Sequence, residues 1–162
     1  MYSRNLPAII EKKRAWNKGH IVGQKRPLLP KHVWAVRVRL ELAGSTRDLG
    51  LFNMAVDSKP RGCDLDRLKV ADVYSAGRIQ ERTSVLQSKT SKPVQFEMTE
   101  CTRKSLAEWI DHPTMIASEH LWPGRFHEPD RISTRQYERL VKEWVTLIGL
   151  EDALDLSKGI EI

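Results

Sequence analysis

The stretch 58-SKPRGCDLDRLKVADV-73 decides how this chain is read. Proline at 60 stops whatever helix precedes it, because its ring excludes helical geometry from the residue before it. Arg61 follows at once, then Asp64, and then Leu65, Leu68, Val70 and Val73 restart an apolar rhythm. A guanidinium thus stands at the joint between two buried segments. Asp64 is placed to cap a short helix running to about Lys69.

Upstream, 30-PKHVWAVRVRLELAG-44 opens on proline and closes on glycine, the asymmetry expected of one helix. A second helix starts after Ser45, with Leu49, Phe52 and Val56 at helical spacing. Downstream the texture changes. Segments 79–88 and 92–98 are rich in strand formers, with Val94, Phe96 and Met98 alternating with Gln95 and Glu97. The polar 88-SKTSK-92 between them suits a hairpin turn. Helix resumes over 99–110, and a loop rich in Pro, Gly and His fills 111–130. The helix at 133–149 begins with Ser133 and Gln136 at capping-box spacing. Tyr137, Leu140, Val141, Trp144 and Ile148 form its apolar stripe, and Gly149 ends it. The fold class expected is mainly α with a small antiparallel β-hairpin, an α+β arrangement.

With 162 residues and five tryptophans the chain can bury one sizeable core. No apolar run reaches the roughly 18 residues of a membrane span, and no apolar leader follows the N-terminus. The expected location is cytoplasmic, with no membrane partner. Cys63 and Cys101 lack the close spacing of a zinc or redox pair, so they read as two buried, reduced thiols. No metal site and no cofactor are expected.

The net charge of +6 is unevenly spread. Residues 1–39 hold ten Lys and Arg against one acid, Glu11, whereas the remainder is slightly acidic. The organisation expected is a basic arm over 1–29, a domain over 30–150 and a tail over 151–162. Clustered cations gain by releasing counterions condensed on a polyanion. Lys12, Lys13, Arg14, Lys18, Lys25 and Arg26 are therefore the candidate DNA-binding residues of the arm. A solvated arm without a dedicated ligand is the plainer alternative.

Three blocks in order, 49-LGLFNMAVDSKPRGCDLDRLKVADV-73, 84-SVLQSKTSKPVQFEMT-99 and 121-LWPGRF-126, resemble the catalytic domain of the tyrosine recombinases, or phage-type integrases. That family breaks DNA by attack of a tyrosine on a phosphate without a metal. Arginines and a histidine hold the phosphate oxygens, and a lysine on a hairpin turn protonates the leaving hydroxyl. The demand is physical: negative charge spread over nonbridging oxygens is matched by guanidinium forks, and a departing alkoxide needs an acid. The resemblance implies that Arg61 and Lys89 are catalytic, with Lys92 nearby as a further DNA contact, and that Asp64 takes the family's acidic position. Without it, Arg61 and Lys89 read as a surface arginine and a solubilising turn lysine. Ser58, Lys59 and Pro60 stand where the family has Thr-Gly-x, a departure bearing on the turn that aims Arg61.

The family's later parts, a His-x-x-Arg, a second His or Trp and the nucleophile, have no match. No histidine here has Arg three residues on, 127-HEPDR-131 precedes the wrong helix, and no tyrosine follows Tyr137, which reads as a core residue. The expectation is an incomplete catalytic domain, short by about fifty residues, that binds DNA without cutting it. The alternative is a non-catalytic helix-turn-helix regulator with its junction at 44-GST-46, although the second helix lacks a basic face. An incomplete lobe also implies exposed apolar surface at Trp144, Val145 and Ile148. That surface would either be covered by Leu154, Leu156 and Ile160 or drive self-association.

Overall fold

A computed structural model describes residues 28–124 and 131–150. Its elements in chain order are α1 (Pro30–Leu42), α2 (Thr46–Ser58), α3 (Gly62–Leu65), α4 (Val70–Val73), β1 (Tyr74–Ser75), β2 (Arg78–Ile79), β3 (Arg82–Leu86), β4 (Pro93–Glu97), α5 (Glu100–Ile110) and α6 (Thr134–Leu147), with a short 3-10 turn at Pro113–Met115. The class is α+β, with two separate two-stranded antiparallel sheets.

The core is built around α2. Every residue from Leu49 to Val56 is buried, so this helix is wrapped on all sides rather than along one stripe. Phe52 meets Trp144 of α6 edge to face, with ring centroids 5.4 Å apart. Gly50 lies against α5, where a Cβ would meet Leu106 Cδ2 at 3.5 Å, an ordinary packing distance. Burial on every face leaves α2 no basic surface to lay in a DNA groove, which removes the support for a helix-turn-helix reading.

Caps mark the helix ends. Ser133 Oγ accepts the Gln136 N–H at 3.2 Å, and Gly149 closes the last turn at φ 73°. Thr99 caps α5 by accepting the Thr102 N–H. Asp57, near the end of α2, then binds that same helix start, accepting the Thr99 N–H at 2.9 Å and the Thr102 hydroxyl at 2.6 Å. The backbone of Leu68–Val70 runs alongside Glu119–Leu121, bonded through Val70 N–H to Glu119 and Leu121 N–H to Leu68. This seats Leu121 and Trp122 in the core with no exposed surface.

Three expectations change. Asp64 caps no helix: α3 starts with Arg61 as its N-cap, and the carboxylate turns inward. Trp144 and Val145 are buried and Ile148 is half-buried, since α6 packs on α1 and α3 and sets Trp144 against Phe52 of α2; the expected apolar patch is not found there. Cys101 is exposed, in the first turn of α5 at the edge of a groove with its Sγ 3.9 Å from Asn53 Nδ2, and Cys63 is half-buried; neither is a buried thiol. Burial fades from Met98, just past β4, through half-buried Phe96 to Val94, which is 40% exposed, so the outer part of the strand leaves the core. The tail residues Leu154, Leu156 and Ile160 and the 127–130 part of HEPDR lie outside the described residues. Among those described, no helix is long and apolar enough to cross a membrane.

Candidate nucleic-acid interface

The decisive stretch sorts its charges by depth. Asp64 and Asp66 are buried at 3% and 4% exposure, while Lys59, Arg61 and Arg67 are exposed. A carboxylate leaves water only where donors replace it, and each of these two serves a structural tie. Asp64 Oδ1 accepts the backbone N–H of Ser88 at 2.9 Å, across 24 residues of chain. Ser88 opens the turn joining β3 to β4, where Gln87 N–H bonds Lys92 O and Ser91 N–H bonds Gln87 O. Arg67 adds a second tie, its Nη1 donating to Ser88 Oγ at 2.8 Å. The turn that carries Lys89 is thereby fastened to the turn that carries Arg61.

Asp66 makes the other tie, to α6. Its Oδ2 accepts the Thr134 hydroxyl at 2.7 Å, and its Oδ1 lies 3.5 Å from Arg131 Nη1. Burial pushes its carboxyl above the usual Asp value and Asp64 adds to this, while Thr134, Arg131 and Arg67 pull the other way. Beside it Gly62 rests on the Tyr137 ring, where a Cβ would come within 2.8 Å of Cδ1. Arg61 therefore sits on a short helix anchored to the hairpin through Asp64 and to α6 through Asp66 and Gly62.

Arg61, Lys89 and Lys92 are all exposed, and none of the three side chains makes a hydrogen bond or ion pair among the described residues. Three exposed cations thus lie on two turns fastened to one another, an arrangement that suits a phosphate chain. Lys12, Lys13, Arg14, Lys18, Lys25 and Arg26 lie outside the described residues. Tyr137 is 3% exposed, and burial raises its phenol well above the ordinary tyrosine range, so it is a core residue as its stripe position suggested. Sequence reasoning missed Arg67, whose role rests on a contact with Ser88 that no local spacing signals. A groove of about 370 Å³ lies elsewhere, between the α1–α2 turn and α5, bordered by Glu41, Ser45, Asn53, Cys101 and Lys104.

No family model matches the sequence, and no curated protein does. Solved structures do match the fold. XerA recombinase superposes with a TM-score of 0.66 at 16% identity, covering 82% of this chain and 46% of that one. A lambda integrase dimer bound to a COC′ core site gives 0.58 at 16% identity, covering 82% of this chain and 37% of that one. The fold is that of the tyrosine recombinases, and the chain spans less than half the length of either structure.

Proposed function

We propose that these 162 residues form part of a tyrosine-recombinase-type catalytic domain that grips DNA phosphates and does not itself break the strand. The observation that carries this reading is the Asp64–Ser88 tie, which holds Arg61 and Lys89 on neighbouring turns with their charges free for a ligand. Arg61 supplies a planar fork for two phosphate oxygens and Lys89 a point charge beside them. Lys92 and the cations of residues 12–26 add backbone contacts that position without reading sequence. The likeness of fold to a recombinase and to an integrase dimer bound to a COC′ core site supports the choice of polyanion.

Cleavage by this chemistry needs a phenol that can reach phosphorus. Tyr137 is packed beneath Gly62, and the sequence holds no tyrosine after it. Fluorescence anisotropy on a generic duplex at low salt tests the grip. Arg61→Gln and Lys89→Gln should each weaken binding and reduce the slope of log K against log salt by about 0.9. Equal slopes for both variants and the unaltered chain would overturn the reading. On a nicked duplex designed to trap covalent intermediates, no protein–DNA adduct should form. An adduct abolished by Tyr74→Phe or Tyr137→Phe would restore catalysis to the chain.

A further inference from the structure

Lys59 ends α2 with φ 45° and ψ 40°, in the left-handed region. Two features make this costly. A side chain with a Cβ crowds the backbone there, and the following Pro60 disfavours helical ψ at the residue before it. Glycine or asparagine would close the helix by the same Lys59 N–H to Ala55 O bond of 3.1 Å with less strain. The fold makes no other use of this side chain: Lys59 is exposed, and among the described residues its ammonium forms no hydrogen bond or ion pair. It stands two residues before Arg61 on the same turn, where Asp57 is taken up by the Thr99 N–H and the Thr102 hydroxyl and Asp64 and Asp66 are buried. An outlier kept at a cost, with the neighbouring acids engaged or buried inside the fold, points to use of the side chain.

We infer that Lys59 is a DNA-backbone contact, placing its ammonium on a phosphate next to the one held by Arg61; this rests on the phosphate grip proposed above. The left-handed turn serves the contact by reversing the chain between the end of α2 and Arg61. A lysine suits the role because an adjoining phosphate needs charge within reach rather than a fixed fork.

The test compares the whole chain with Lys59→Gly, Lys59→Gln and Arg61→Gln on one generic duplex, by anisotropy over a series of salt concentrations, alongside thermal unfolding. Lys59→Gly should raise the unfolding midpoint by a few degrees while weakening DNA binding about threefold to tenfold, with the salt slope reduced by about 0.9. Lys59→Gln should show the same binding loss without the gain in midpoint. Unchanged affinity and slope in both Lys59 variants, with Arg61→Gln still weakened, would refute the Lys59 contact and leave the grip standing. Unchanged binding in all three would instead remove the grip itself, and with it this inference.

Discussion

A Cβ built on Gly62 stands 2.8 Å from Tyr137 Cδ1 and 3.1 Å from Cε1, closer than packed carbons tolerate. The ring is held in the core and has little room to move, so Gly62→Ala should destabilise by about 1–3 kcal/mol in urea unfolding. Pairing it with Tyr137→Leu should recover part of that loss, and strict additivity in the double-mutant cycle would show that the two do not touch. Asp66 gives a prediction in pH. Its folded-state carboxyl holds the proton more tightly than the unfolded chain does, so ionising it costs stability as pH rises from 3.8 through the folded-state value. Asp66→Asn does not titrate. Across about pH 3 to 7 the unaltered chain should lose stability relative to this variant as pH rises, then level off. A difference that widens in favour of the unaltered chain would contradict that assignment. At this scale the sequence showed which residues carry charge. It did not show which acids turn inward, because Asp64 and Asp66 are indistinguishable from solvated carboxylates until Ser88 and Thr134 arrive from distant segments.

Helix joints carry the next level. Asp57 holds α5 to α2 through two short bonds, and Asp57→Ala leaves the Thr99 N–H and the Thr102 hydroxyl without their acceptor. The expected cost is about 2 kcal/mol by chemical denaturation. Asp57→Asn, which keeps an acceptor oxygen, should cost less. Trp144→Ala should cost about 3–5 kcal/mol, since it empties the contact with Phe52 between α6 and α2. Loss under 1 kcal/mol would mean that α6 is loosely docked. Element types were legible because each has a local cause: proline and glycine bracket α1, Ser133 starts α6, and alternation marks β4. Burial was less so. Val94, Phe96 and Met98 alternate as a strand should, but a strand buries only what another element covers, and Val94 stays 40% exposed while Met98 is buried.

For the molecule as a whole, the charge asymmetry makes a prediction that no single residue makes. Contacts to phosphate carry no sequence information, so duplexes of unrelated sequence should bind within about threefold of one another. Raising salt from about 50 to 200 mM should weaken all of them by a common factor, steeply for many contacts. A strong preference for one duplex at equal salt would point to reading of base edges instead. The α+β architecture and its three ordered blocks were legible from residues 49 to 122, whereas the expected apolar patch at Trp144 was not, because how a stripe is covered depends on partners that spacing cannot name. One consequence follows from the seat of α3 on α6. A polypeptide ending at residue 124 would keep Lys59, Arg61 and Lys89, yet lack the Tyr137 ring and the Thr134 hydroxyl on which their turn stands. Such a shortened product would fail for want of a foundation rather than for want of charge.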